Sequence, residues 1–420
     1  MQNKIFFILF VLLFSFAYSQ EKTGRRVTEI LCSDSLYGRG YVNNGVQKAA
    51  RYLANEFEAV GLTPYLDDGF LQDFSFDVNS FPSEMKLSTE NKSLIPGKHF
   101  VVHPSSGGGS GIFNYIVLDS SDFSNEKRIA EAMQRISTGE KNSILVDTRN
   151  VTNRTAQEMR NVYGELGNYT PTLITTNEKF TWSVGRKQYK HPVVIINDSL
   201  LTEKPTKLSY EISAEFKKHT SQNVVGYLPS KRKRAKTIVF TAHYDHLGGM
   251  GDATFFPGAN DNASGTSMLI AIAEHFKQNP SKYNLLFIAF AGEEAGLVGS
   301  EHFVSSESYP LDDIKFLLNL DIMGSGEEGI TVVNGAVLKK PFKKLQKINQ
   351  KEAYLKKVKP RGETANSDHY HFYKNGVPSF FIYTMGPNKH YHDIFDTYEE
   401  LSFAAYNDII NLLTEFINKL

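Results

Sequence analysis

The stretch TIVFTAHYDH (residues 237–246) decides how the rest of the chain is read. An apolar, strand-like run, Thr237 to Ala242, leads straight into His243, Asp245 and His246. Three later stretches repeat the arrangement. LLFIAF (285–290) is followed by Glu293 and Glu294, KFLLNL (315–320) is closed by Asp321, and SFFIYT (379–384) leads through a short loop to His392. Short apolar runs bounded by polar loops read as strands. Between the first two lies a helical pattern over 265–278, closed by Pro280. Strands alternating with helices predict an α/β fold, with a mixed, largely parallel central sheet flanked by helices on both faces.

Outward from this block, residues 45–62 set Val46, Ala49, Ala50, Leu53, Ala54, Phe57 and Val60 at helical spacing, with Gly61 as a stop signal. The segment 401–420 repeats Leu, Phe and Ile at the same spacing and is expected to pack on the sheet. The middle of the chain has another texture. HPSSGGGSG (103–111) is linker-like, and YIVLD, SILVDT and PVVIIND alternate with polar and helical stretches that carry no cluster of metal-binding residues. This predicts a smaller inserted α+β domain over 85–205, with 20–84 and 206–420 forming the larger domain.

Lys4 precedes an apolar stretch from Ile5 to Phe16, followed by Ala17-Tyr18-Ser19. That order is the signature of a cleaved signal peptide, residues 1–19, and predicts a secreted or periplasmic protein. The stretch is shorter than the roughly 20 apolar residues of a membrane span, so no stable membrane anchor is expected. Lys+Arg and Asp+Glu each number 46, and a net charge of zero argues against nucleic acid as a partner. The basic run Lys231 to Arg234 reads as a solvated turn. With a single cysteine, Cys32, the fold has no internal disulfide.

The chemistry-bearing residues all fall after strand ends, where open α/β sheets bind their ligands. Zinc takes imidazole nitrogen and carboxylate oxygen, and a catalytic ion keeps one position for water. Two histidines and three acidic residues can hold two such ions if one carboxylate is shared, and two ions roughly 3.5–4 Å apart can share a water. Glu293 precedes Glu294, so one of the pair can bind metal while its neighbour faces the water as general base. Asp245 is expected to hydrogen-bond the His243 imidazole, and Asp396 is given a similar supporting role. An acidic residue closing an apolar strand, as Asp321 does, is costly to bury without a partner. On spacing alone His246 and His390 compete with the assigned histidines, while His275 and His302 read as helix-surface residues. GSGEEG (324–329) formally matches a dinucleotide fingerprint, but it precedes a strand-like run and carries two glutamates, so it is set aside.

TAHYDHLG (241–248), GANDNASG (258–265), FAGEEAGLVGS (290–300), NLDIMG (319–324), SDHYHF (367–372) and YHDIFDT (391–397) occur in this order. Together they resemble the co-catalytic zinc metallopeptidase family of secreted bacterial aminopeptidases, glutamate carboxypeptidases and glutaminyl cyclases. LYGRGYVNNGVQKAARYLANEFEAVGL (36–62) is similar to that family's N-terminal segment, so the likeness covers about 26–80 and 220–420. The resemblance implies a zinc aminopeptidase-like fold and two zinc ions per chain. Asp261 would bridge the ions, His243 and Asp321 would complete one site, and Glu294 and His392 the other, with Glu293 as base. By motif position Ser367, Asp368, His369 and Tyr383 are candidates for the substrate pocket or its support. The insert resembles a protease-associated domain in placement.

The expected activity is hydrolysis of the N-terminal bond of peptide substrates. A carboxypeptidase or dipeptidase of the same family should gather arginines around substrate carboxylates, and 241–420 contains only Arg361. A glutaminyl cyclase would bind one zinc. A non-catalytic binding relative would have lost ligands, and none of the five positions departs from the pattern.

Overall fold

Each of the four apolar runs forms a strand, ending at His243, Phe290, Leu320 and Met385. The computed structural model describes residues 20–66, 69–122, 125–149, 151–201, 207–306 and 309–420; the expected signal peptide lies outside them. The described residues build a nine-stranded sheet from β1 (Thr63–Pro64), β2 (Leu71–Ser80), β3 (Glu215–Leu228), β4 (Thr237–His243), β5 (Asn284–Phe290), β6 (Ile314–Leu320), β7 (Gly329–Val333), β8 (Val358–Pro360) and β9 (Ser379–Met385). The order is β1-β3-β5-β4-β6-β9-β7-β8, with β2 paired along the other half of β3. The four strands from β5 to β9 in this order are mutually parallel, whereas β3 and β7 run against their neighbours β5 and β9. The sheet is therefore mixed and largely parallel at its centre, as expected.

Continuous apolar strands need cover on both faces. Phe240, Ala242, Phe287, Leu318 and Phe380 face one core with helices at residues 20–31 (α1), Gly45–Val60 (α2), Gly265–Gln278 (α3), Lys339–Glu352 (α5) and Tyr406–Asn418 (α7). Val239, Leu286, Ile288 and Leu317 face the opposite core with Phe303 of α4 (Val298–Ser305) and Phe372 of α6 (His369–Lys374). In α2, Val46, Ala49, Ala50, Leu53 and Phe57 of the residues the helical spacing selects are buried, Ala54 and Val60 are half-buried, and Gly61 caps the helix at φ +84°. In α7, Ile409, Ile410, Leu413 and Phe416 lie on the sheet, with the Phe416 ring against Phe316 and Phe380. Full burial of each such side chain contributes roughly 1.5–3 kcal/mol. At the N-terminus of α3 a Cβ on Gly265 would meet Leu320 O at 2.5 Å, so only glycine lets this helix seat against the end of β6 beside Asp321.

The inserted unit carries a five-stranded sheet in the order 100–102, 193–197, 172–176, 143–146, 115–118 and a four-stranded antiparallel sheet. Strand Leu208–Ile212, which the sequence boundary at 205 leaves in the larger domain, pairs with Lys86–Ser88 and Gly109–Phe113 of the insert. The insert thus extends to about 212. Its alternating buried pattern belongs to a short edge-rich sheet, not to the main one.

Candidate metal centre

The four parallel strands deliver their polar termini to one rim. His243 is the last residue of β4, Glu293 and Glu294 follow β5, Asp321 follows β6, and His392 follows β9. Asp261 comes from the turn leading into α3, across a cis peptide bond to Asn262.

Distances sort these side chains into two groups that meet at Asp261. His243 Nε2 lies 3.3 Å from Asp261 Oδ1 and 3.4 Å from Asp321 Oδ1. His392 Nε2 lies 3.1 Å from Asp261 Oδ2 and 3.2 Å from Glu294 Oε2. Charge-assisted hydrogen bonds between nitrogen and oxygen are shorter, about 2.7–2.9 Å. Donor atoms around one tetrahedral zinc, each about 2.0–2.2 Å from the ion, stand about 3.3–3.5 Å apart. The first group matches that spacing, and the second, at 3.1 and 3.2 Å, is slightly shorter. Asp321 Oδ1 is buried with no hydrogen-bond partner, an orphaned acceptor that a cation would satisfy. The donor set of imidazole and carboxylate fits zinc, and His243, Asp261 and Asp321 could hold one ion. Glu293, partly buried, keeps a carboxylate oxygen within 4.8 Å of ligand atoms of His243 and Glu294.

The electrostatics follow from crowding unlike charges under cover. Burial opposes a charged His243, yet Asp321, Glu293 and Asp261 overcome it and hold the imidazole well above its usual range. Burial opposes charge on His392 too, but Glu294 and Asp261 raise it to about 11. For Asp261 burial works the other way and loses to His243 and His392, which push it well below the usual carboxylate range. Burial likewise opposes ionisation of Glu294, but His392 and His246 bring it down to about 2. Glu293 behaves oppositely. Burial, with Glu294, Asp368 and Asp321 adding to it, raises its carboxyl well above the usual range despite His243. Two adjacent glutamates are thus driven apart, one toward anion and one toward proton acceptor and donor.

The supporting contacts differ in part from the sequence expectation. His243 Nδ1 donates to the main-chain oxygen of Asp245 at 3.1 Å, while the Asp245 carboxylate is 3.8 Å away. That carboxylate accepts from the Tyr41 hydroxyl at 2.9 Å and from the N–H groups of Glu293 and Glu294, so it anchors the turn after β5 instead of the imidazole. Asp396 accepts from the N–H groups of Asn260 and Asp261 at 2.9 and 3.0 Å and fixes the Asp261 turn. Ser367 donates to Asp321 Oδ2 at 3.0 Å. Ser367, Asp368 and His369 are buried at 0–1% exposure, and Ser367 takes the supporting role of the two expected for it. They pack where α6 starts beneath the sheet. Tyr383 is partly exposed and accepts from Arg361 at 3.2 Å.

Of the competing histidines, His390 turns away to Asp393 and Glu400. His246 is buried, holds Glu294 Oε1 at 2.8 Å, leaves its Nε2 without a hydrogen-bond partner and forms with Asp261 and Glu294 another group that could hold a metal, so it stays a rival to His392, which faces the same two carboxylates. His275 and His302 lie in α3 and α4, and neither joins the groups that could hold a metal.

Three contributors lie beyond what the sequence reading identifies. Arg39, fully buried, donates at 2.7 Å to the carbonyls of Leu31, Tyr244, Pro257 and Gly258, tying together the loops that carry His243 and Asp261. Tyr41 supports Asp245. Both lie in LYGRGY (36–41), where an arginine between glycines is the available signal. The third, Trp182 of the insert, accepts from His392 Nδ1 through its carbonyl at 2.8 Å, and its sequence position offers no sign of this.

An α/β sheet with imidazoles and carboxylates gathered on its carboxyl edge has the fold of the zinc aminopeptidases. The chain superposes on a zinc aminopeptidase from Bacillus subtilis with a TM-score of 0.67 at 20% identity, over 95% of this chain and 94% of that one. It superposes on an aminopeptidase from Aneurinibacillus sp. strain AM-1 with a TM-score of 0.63 at 20% identity, over 95% and 93%. Residues 223–417 match the model of peptidase family M28. Aminopeptidase YwaD of Bacillus subtilis strain 168 is 41% identical over 117 residues, 27% of this chain and 24% of YwaD. A probable leucine aminopeptidase of Trichophyton verrucosum is 29% identical over 218 residues, 47% of this chain and 55% of that protein. The chain thus spans a quarter to about half the length of these curated relatives. The family resemblance drawn from the six motifs agrees with these matches. Among the described residues no helix is long and apolar enough to cross a membrane.

Proposed function

We propose that the protein is a secreted zinc-dependent aminopeptidase that removes N-terminal residues from peptides, with two zinc ions shared through Asp261. The observation that carries this reading is the pairing of distances about Asp261, one oxygen toward His243 and the other toward His392. In this reading His243, Asp261 and Asp321 would hold one ion and His392, Asp261 and Glu294 the other. Bound zinc supplies Lewis acidity and a water of lowered pKa. Glu293 takes the proton of the attacking water and passes it to the leaving amine, a role suited to a carboxyl whose surroundings resist charge. The cationic α-amine of a substrate is attracted by the cluster of Glu293, Glu294 and Asp321.

Carboxylate recognition lacks comparable support. Arg39, the fully buried guanidinium of this region, commits its donors to four main-chain carbonyls. Export rests on the signal-like residues 1–19, and peptides are the proposed partners.

The test is elemental analysis of the mature protein together with cleavage of aminoacyl anilides before and after chelation. About two zincs per chain and chelator-sensitive release of the anilide are expected. A protein that holds zinc but leaves every free-amine anilide intact would refute the aminopeptidase assignment.

Zinc uptake should also be linked to protons. His392, held to about 11 by Glu294 and Asp261, carries a proton at pH 7 in the metal-free protein, and His243 is raised in the same direction. A metal ligand must give that proton up, so affinity should rise with pH, with release of about two protons as both sites fill near neutrality. Calorimetric titration in buffers of different ionisation enthalpy counts them. Buffer-independent heats would contradict the assignment of both imidazoles as ligands.

A further inference from the structure

Three parallel crossovers join neighbouring strands in the insert's sheet. Two of them run through helices, Glu126–Ser137 and Asn153–Gly164, the usual way to connect parallel strands. The third, residues 177–192 between Thr172–Thr176 and Val193–Asn197, contains neither helix nor strand beyond one isolated bridge at Gly185. It leaves the insert and reaches the loop that carries His392.

The contacts there are specific. Trp182 exchanges two hydrogen bonds with His392. Its N–H donates to the His392 carbonyl at 2.9 Å, and its carbonyl accepts from His392 Nδ1 at 2.8 Å. The second bond places a proton on Nδ1 and turns Nε2 toward Asp261 and Glu294. Lys179 Nζ pairs with the buried carboxylate of Asp393, the next residue, and donates to Lys389 O at 2.8 Å. His392 itself sits at φ +53°, a backbone conformation that a residue with a Cβ keeps only where its surroundings impose it.

The strap is fastened to both units. Trp182 stacks on Phe256 of the larger domain at 4.9 Å between centroids, and its indole N–H donates to Val102 O in the insert at 2.8 Å. Further on, Asn79 of β2 donates its N–H to Gly185 O at 2.8 Å, and a Cβ at Gly185 would meet Pro104 O at 2.2 Å. A cavity of about 540 Å³, lined among others by Val101, Arg160, Trp182 and Ile195, lies along the strap, while Trp182, Phe180 and Val184 pack into the core beside it.

We propose that the 177–192 strap is a positioning element for His392, with Lys179 and Trp182 as its working residues, through which the insert controls one zinc position and leaves the other to the main sheet. The main sheet holds the other group without help from the insert, since His243 orients through the main-chain oxygen of Asp245. The inference rests on the two-zinc reading above and adds a task for the inserted unit. Replacing an outer partner of a metal-binding histidine weakens metal affinity about 10–100-fold.

The experiment is equilibrium dialysis of the whole mature protein against graded chelator, with zinc counted per chain, for wild type, Lys179→Met, Lys179→Arg and Trp182→Ala. Wild type should lose its two ions in two steps. Lys179→Met removes the tie to Asp393, and Trp182→Ala removes the stacking on Phe256 that holds the main-chain partner of His392 in place; each should weaken one step, by up to the roughly 10–100-fold of losing that partner outright, and leave the other in place, and Lys179→Arg should restore it. Melting of the metal-free proteins controls for folding, because general loosening would move both steps together. Two ions released as in wild type from both Lys179→Met and Trp182→Ala, or both steps shifted equally, would overturn the positioning role alone. A wild-type chain that holds fewer than two ions would overturn the two-zinc reading and this assignment with it.

Discussion

Glu293→Gln is expected to keep both zinc ions and lose about 10²–10⁴-fold in kcat, the usual contribution of a positioned proton-transfer group. That loss corresponds to about 2.7–5.4 kcal/mol of transition-state stabilisation. The amide has the size of the carboxyl, so the turn held by Asp245 at the N–H groups of residues 293 and 294 stays in place. The substitution removes only the capacity to accept a proton. Zinc content by elemental analysis, with kcat and KM measured on the best anilide, separates the possibilities. Wild-type turnover with two ions bound would sink Glu293 as base, and a loss of zinc would show that it acts as a ligand instead.

Asp261→Asn should have the broadest consequence of any single change, because the residue faces both imidazoles. One oxygen lies 3.3 Å from His243 Nε2 and the other 3.1 Å from His392 Nε2. An asparagine keeps one oxygen and turns an N–H donor toward the other group, where it repels a cation. It also withdraws the negative charge that two cations would share. Both zinc affinities should fall by more than the 10–100-fold seen when an outer partner is changed, and activity should fall with them. The check is zinc per chain after dialysis against a weak chelator. Two tightly held ions in this variant would refute a shared Asp261.

The two substitutions probe different atoms of one small cluster and should not add. With Asp261→Asn in place there is little bound zinc left to activate water, so Glu293→Gln should cost little more. The double variant therefore reports whether base and metals act as one unit.

Much of this arrangement is legible in the order of residues alone. Apolar runs that end at His243, Phe290, Leu320 and Met385 place their polar followers on one rim, because parallel strands present their carboxyl ends together. Helix α2 can be read from its spacing and from Gly61, and α3 from the run ahead of Pro280. The site residues that pattern does not reveal share a cause. Tyr41 meets Asp245 across 204 residues, and Arg39 meets Gly258 across 219. Local pattern has no reach over such separations. Ser367 reads as a candidate for the pocket or its support by motif position, and the fold encloses it and commits its hydroxyl to Asp321.

The chain by itself determined the alternation of strand and helix, the edge at which charge collects, and a set of imidazoles and carboxylates suited to zinc. These follow from hydrophobic period and residue chemistry, which are local properties. Only the tertiary structure decided that His392 and not His390 joins Asp261 and Glu294, that the Asp245 carboxylate anchors a turn while its carbonyl orients His243, and that the insert reaches the site through Trp182. The physical reason is that the bonds orienting His243 and His392 run through main-chain oxygens. Every residue carries one, so no residue type marks the oxygen that the fold will turn toward a histidine.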